Sequence, residues 1–143
     1  CPGCHNPESW DYCKGKKSTK KTMETILELL KPSHIEGITL TGGHPLAPYN
    51  IGKIKNIIQC IRCQYLYTKS IWLYTGYELK YENFIPESNE LINETLRMCD
   101  VVVDGPYIAA ERDITLPWRG SRNQRVIDVK RTIEAKKIIL FDS

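Results

Sequence analysis

The chain has 143 residues, 41% hydrophobic and 26% charged, with a formal net charge of +3. That length makes one domain, 1–143, able to bury most of its apolar surface without covalent staples. The charge is compatible with docking on an acidic protein but too small to argue for nucleic acid, and no apolar run reaches the length of a membrane span.

Cys1-Pro2-Gly3-Cys4 opens the chain. Two cysteines at this spacing fit adjacent ligands of one metal ion or cluster. A thioredoxin-type redox pair normally follows a strand and opens a helix, and His5-Asn6-Pro7-Glu8-Ser9 does not open one. No methionine precedes Cys1, which sets the expectation of a processed or cropped piece of a longer chain, with any ligand before Cys1 out of sight. The total of six cysteines is too few for a secreted disulfide scaffold of this length, so a reducing compartment, the cytoplasm, is expected.

Residues 5–22 are polar and read as loop, with breaks at Asn6-Pro7 and Lys14-Gly15-Lys16. From Ser18 the period becomes helical: Met23, Ile26, Leu27 and Leu30 share one face, and Pro32 ends the helix. Gly37-Ile38-Thr39-Leu40-Thr41 reads as a buried strand stopped by Gly42-Gly43. A second helix is expected after Asn50, a good N-cap residue, with Ile51, Ile54, Ile57, Ile58 and Ile61 on one third of its circumference. Ser70-Ile71-Trp72-Leu73-Tyr74 is the next strand, cut by Thr75-Gly76. A third helix within 87–98 would be carried by Leu91, Ile92 and Leu96, and Asp100-Val101-Val102-Val103 is a strand ending in Asp104-Gly105-Pro106. Residues 106–124 read as an irregular polar loop, with strand candidates at 126–129 and 137–141.

Alternating strands and helices predict an α/β fold with right-handed crossovers and a parallel sheet. Three strands end in the same way, at Thr41-Gly42-Gly43, Thr75-Gly76 and Asp104-Gly105. Ligands of parallel α/β folds sit at such strand ends, where glycine lets the backbone come close. Taken singly, each reads as a plain turn; three on one rim point to a small-molecule site.

Cys60-Ile61-Arg62-Cys63 has the formal spacing to complete a zinc site with Cys1 and Cys4. It lies inside the isoleucine-rich helix, where no tight turn aims the two thiolates together. Cys60, Cys63, Cys13 and Cys99 therefore read as surface or semi-buried thiols. His44 alone identifies neither a ligand nor a base. Trp72, Tyr74 and Tyr77 read as core or rim packing. The donor-dense residues 118–125 fit either an anion or partner contact or a solvated loop.

Taken together, Cys1-Pro2-Gly3-Cys4 with Asn6 and Trp10, Thr41-Gly42-Gly43-His44-Pro45-Leu46, Trp72-Leu73-Tyr74-Thr75-Gly76-Tyr77, Val103-Asp104-Gly105 and the run from Trp118 to Val126 form a pattern. It resembles the activating proteins of anaerobic ribonucleoside-triphosphate reductases, small radical S-adenosylmethionine enzymes, over residues 1 to about 129. The resemblance implies a partial, open βα barrel of parallel strands, here lacking its first strand. It implies a [4Fe–4S] cluster on three cysteines spaced C-x₃-C-x₂-C, of which Cys1 and Cys4 match the second and third. The first would lie four residues before Cys1. It also implies reductive cleavage of S-adenosylmethionine, hydrogen abstraction from a glycine of the large reductase subunit, and a reduced electron donor such as flavodoxin.

By resemblance, Gly3, Cys4 and His5 lie against the adenosyl part and Gly42 and Gly43 against the methionine part. His44 stands where the family's glycine motif usually has an acidic residue. Thr75, Gly76 and Asp104 are added as candidate cofactor contacts from their strand-end positions. No acid–base dyad is required. The alternatives are a small radical S-adenosylmethionine enzyme acting on a diffusible substrate and a zinc-stabilised binding module.

Overall fold

The computed structural model describes residues 20–42 and 44–141. Helix α1, Lys20–Leu30, turns Met23, Ile26, Leu27 and Leu30 into the main core. It stops before Pro32, which has no N–H to continue it. The chain turn that follows is pinned by buried Lys69, whose Nζ donates to the carbonyls of Pro32 (3.0 Å) and Ile35 (2.5 Å).

Strand β1, Gly37–Leu40, pairs in parallel with β2, Ser70–Tyr74. Gly37 is required by that pairing, because a Cβ there would stand 2.0 Å from the Ser70 carbonyl oxygen. Between the strands runs α2, Ile51–Tyr65, burying Ile51, Ile57, Ile58 and Ile61 as its period predicts. Asn50 does not cap this helix through its side chain. The chain enters through a turn in which the Ala47 carbonyl accepts from the N–H groups of Asn50 (2.8 Å) and Ile51 (2.9 Å). The Asn50 carboxamide instead donates back to the His44 carbonyl at 3.1 Å.

Helix α3, Leu91–Arg97, lies within its expected range and turns Ile92 and Leu96 into the main core as expected. Asn93, Thr95 and Leu96 are buried while Leu91 is exposed. The helix leans on the 3₁₀ turn Tyr81–Phe84, where Asn83 donates to Asn93 at 3.1 Å beside buried Phe84.

Strand β3, Val101–Asp104, is buried at every position and parallel to β2. The expected all-parallel sheet ends there. Strand β4, Arg125–Asp128, runs antiparallel to β3, giving the order β1-β2-β3-β4. A parallel neighbour needs a long crossover, usually a helix. Residues 105–124 instead fold back on themselves through an antiparallel pairing of Arg112 with Ser121 and return beside the strand they left.

Helix α4, Val129–Ala135, was not expected from the sequence; Asp128 caps it by accepting from the Arg131 N–H at 3.0 Å. The strand candidate at 137–141 is reduced to a bridge of Leu140 with Ile127, flanked by hydrogen bonds from Asp128 N to the Ile139 carbonyl and from Phe141 N to the Val126 carbonyl.

Apolar residues of all four helices join one cluster with Ile71, Leu73, Val102 and Ile127. The alternate strand residues Val101, Val103 and Val126 face the other way, joined by Trp72, Tyr74 and Phe141. One face of the sheet thus carries the helices and the other carries none of them.

Cys99 corrects an expectation, since it is buried in the main core rather than near the surface. Burial pushes its thiol up to about 12. The unfolded thiol titrates near 8.5, so this protonated thiol favours the folded state below that pH, and the benefit fades as pH rises toward the folded value. An aromatic disulfide reagent at pH 8 is expected to modify exposed Cys63 readily and Cys99 only after denaturant is added. Equal rates for the two in native protein would contradict this burial.

Candidate functional site

The parallel register of β1, β2 and β3 brings their C-terminal ends onto one rim. At the end of β1, Gly42 has φ +74°, and no atom of the described residues lies within 4 Å of where a Cβ would stand. His44 follows with φ 55°, a conformation uncommon outside glycine. It is held there by its carbonyl, which accepts from Ala47 N (3.0 Å) and the Asn50 carboxamide (3.1 Å). The imidazole crosses to the end of β2. A Cβ on Gly76 would come 3.1 Å from His44 Cε1, and the Tyr77 ring lies 5.4 Å away, centroid to centroid. His44 Nδ1 is buried and has no hydrogen-bond partner among the described residues.

Thr75 is buried; its N–H donates to the Val103 carbonyl (2.9 Å) and its hydroxyl accepts from Tyr77 N (3.1 Å). Asp104, at the end of β3, is only 1% exposed. Its Oδ1 accepts from Arg125 Nε (3.1 Å), and its Oδ2 accepts from an Arg125 terminal nitrogen (2.6 Å) and from Leu79 N (2.9 Å). The same guanidinium reaches the Leu79 carbonyl at 2.6 Å. Hydrogen bonding to Asp104 holds the Arg125 pKa above its usual range. These bonds tie β3, β4 and the segment around Leu79 together.

Most donors of the stretch 118–125 are bonded within the protein, while Arg122 stays exposed. Gln124 accepts from the N–H groups of Gly120 (3.0 Å) and Ser121 (3.2 Å) and donates to the Gly105 carbonyl (3.1 Å). Asn123 accepts from the Ser121 hydroxyl (2.6 Å) and donates to the Pro106 carbonyl (2.7 Å). Arg119 donates to the Gln124 carbonyl at 3.0 Å. Gly105, at φ +97°, turns the chain into this assembly. Tyr107 packs so closely on Gly120 that a Cβ would lie 3.2 Å from its ring. On the helix-free face the rings of Trp72, Trp118 and Phe141 meet edge-on, with centroids 5.3 to 5.5 Å apart, and the Tyr74 hydroxyl donates to the Trp118 carbonyl.

Of the residues singled out in the sequence, Gly42, His44, Thr75, Gly76 and Asp104 stand on this rim. Cys1, Gly3, Cys4, His5, Gly43 and Cys13 lie outside the described residues. Among the described residues no cluster of three or more His, Cys, Asp or Glu could hold a metal, and Cys60 and Cys63 sit in the body of regular helix α2. Sequence reading missed Arg125 as the partner of Asp104. The only signal was their opposite charge across β3 and β4, which needs the antiparallel register to be seen.

Among the described residues, a buried ring nitrogen without a partner and open space before Gly42 on this rim fit a small ligand carrying its own hydrogen-bonding groups. The family described as 4Fe-4S single cluster domain matches residues 1–127. The anaerobic ribonucleoside-triphosphate reductase-activating protein of Enterobacteria phage T4 is 38% identical over 128 residues, covering 88% of this chain and 74% of that protein. The protein of the same name from Escherichia coli K12 is 37% identical over 88% of this chain and 79% of its own length. That from Vibrio cholerae is 34% identical over 87% of this chain and 77% of its own.

The chain belongs to the anaerobic ribonucleoside-triphosphate reductase-activating protein family. No solved structure matches it. Membership in the activating-protein family together with the iron–sulfur domain implies a [4Fe–4S] cluster and S-adenosylmethionine as cofactors. No helix among the described residues is long and apolar enough to cross a membrane.

Proposed function

We propose that this chain is a radical S-adenosylmethionine activase that installs a glycyl radical on an anaerobic ribonucleotide reductase. The observation that carries the reading is the 34% to 38% identity with activating proteins over 87% to 88% of the chain. The cluster and S-adenosylmethionine supply one-electron chemistry able to remove a hydrogen atom from a C–H bond, and the protein's part is to hold, orient and shield them.

In this assignment the Cys1 and Cys4 thiolates are cluster ligands, and Gly3, Cys4 and His5 lie against the adenosyl group. Gly42, Gly43 and His44 receive the methionine part. The open space before Gly42 and the unpaired His44 Nδ1 support that role. Gly76 serves by its lack of a side chain, which admits the His44 ring. Thr75 fixes the turn after β2 through its bond to Tyr77 N. Asp104 contributes by locking the end of β3 to Arg125 rather than by meeting the cofactor with a free carboxylate. No residue has to move a proton.

Helices confined to one face of three parallel strands support a partial, open βα barrel, formed as a single domain over 1–143. The open side leaves room for a polypeptide substrate. A reduced flavodoxin-type donor in the cytoplasm completes the assignment, and the net charge of +3 is compatible with an acidic donor. Anaerobic incubation of the cluster-loaded protein with the large reductase subunit, S-adenosylmethionine and a reductant should produce the electron paramagnetic resonance signal of a glycyl radical. No such signal from a fully loaded cluster would defeat the assignment.

The role of His44 has its own test. In His44→Ala the ring and its Nδ1 are removed while Gly76 keeps its space. One lost hydrogen bond to the cofactor corresponds to about tenfold weaker binding. Equilibrium dialysis of S-adenosylmethionine against cluster-loaded protein measures it, and unchanged affinity would remove His44 from the site.

A further inference from the structure

Ile108, Ile114 and Trp118 are 38%, 84% and 42% exposed, and all three belong to the excursion between β3 and β4. Single exposed apolar side chains are ordinary on protein surfaces. What distinguishes these is how firmly the chain beneath them is held. Arg112 pairs with Ser121, Arg122 N donates to the Glu111 carbonyl at 2.9 Å, and Asp113 N donates to the Gly120 carbonyl at 3.2 Å. The Asp113 carboxylate accepts from Thr115 N (2.9 Å) and the Thr115 hydroxyl (2.5 Å), closing the turn that carries Ile114.

Trp118 is kept at φ 62° with its ring against Trp72 and Phe141. A bulky residue stays in that conformation only where its surroundings impose it. The base of the hairpin is bonded to the rim through Gln124 and Gly105, Asn123 and Pro106, and Arg125 and Asp104. An apolar tip on a backbone already ordered loses little freedom when it is covered.

We propose that hairpin 108–122 is the docking element for the reductase subunit, with Ile114 entering an apolar socket whose edge is acidic. This rests on the activase reading. A substrate that is itself a polypeptide must lie across whatever borders the rim where its glycine reacts, and this hairpin is bonded to that rim. Arg112 and Arg122 are exposed on the same hairpin and supply the charge that an acidic edge would meet. The other arginines of the stretch, Arg119 and Arg125, are committed to bonds within the protein.

The test compares the cluster-loaded wild-type protein with Ile114→Asp and with Arg112→Glu/Arg122→Glu, all in surface positions where substitution leaves the melting temperature nearly unchanged. Two quantities are read: the affinity for the large reductase subunit, and the affinity for S-adenosylmethionine in its absence. Ile114→Asp is expected to weaken reductase binding about tenfold or more, as loss of a central apolar anchor does. The arginine pair should slow association and flatten its salt dependence, and cofactor affinity should not move.

Reductase binding by Ile114→Asp equal to wild type, while wild type forms the glycyl radical, would overturn the docking proposal and leave the activase reading intact. Failure of the wild-type protein to form any glycyl radical would sink both. A chain that self-associates through Ile114, losing only that association on substitution, would assign the hairpin to a second copy and also overturn the proposal.

Discussion

Replacing Arg125 with alanine is expected to cost about 3 kcal/mol of unfolding free energy and about 10 °C in melting temperature. Asp104 is 1% exposed and its carboxylate accepts three hydrogen bonds, two of them from Arg125. Removing the guanidinium leaves an ionised carboxylate in the interior with only the Leu79 N–H, and such an uncompensated charge is far costlier than the pair is stabilising. The partly exposed pair of Lys55 with Glu94 should show a much smaller loss, because solvent screens it. Replacing both partners, as Asp104→Leu with Arg125→Met, should recover much of the stability lost in the single variant. Urea unfolding of the three variants checks the ranking. A double variant no more stable than Arg125→Ala would contradict the account of Asp104 as a buried charge.

Cys4→Ala is expected to reduce radical formation on the reductase to background and to lower bound iron and sulfide sharply. Iron–sulfur clusters are held by thiolates, and a [4Fe–4S] cluster with three protein ligands has no spare one to lose. Cys63→Ala is the control, because that thiol is exposed on α2 outside the rim and its loss should leave both quantities unchanged. Full iron and sulfide content in Cys4→Ala would show that the opening cysteines are not the ligands. The converse result, loss of iron in Cys63→Ala, would return the helix cysteines to consideration.

Where local pattern and burial coincide, the fold could be read from the chain. Ser70-Ile71-Trp72-Leu73-Tyr74 alternates between the two faces of β2, with Ile71 and Leu73 fully buried, and its bounds match those read from the residues. The isoleucine period of α2 likewise found its buried face. Local pattern failed where the deciding partner is distant in sequence. Asn50 has the chemistry of an N-cap, but its carboxamide donates back to the His44 carbonyl, and the turn's Ala47 carbonyl takes the N–H of Ile51. The direction of β4 depends on how residues 105–124 fold back, and their polar composition is silent on that.

The same division holds at the rim. The glycine-bearing strand ends were visible because chain order and alternation place them together. The packing of His44 against Gly76, the unpaired His44 Nδ1 and the Asp104–Arg125 pair join separate segments and needed the structure. In the run 118–125, composition does not reveal which donors are committed: Gln124 and Asn123 bond their own loop and the turn after β3, whereas Arg122 stays exposed.

The most direct test of the central claim is electron paramagnetic resonance of anaerobically reconstituted, reduced protein before and after adding S-adenosylmethionine. It should be run on this chain and on one extended upstream to include the further cysteine that the resemblance leads one to expect before Cys1. A reduced-cluster signal that changes shape when S-adenosylmethionine is added is the predicted result, since three thiolates leave one iron open to the cofactor. Zinc without sulfide in both forms, and no reduced-cluster signal in either, would contradict the account.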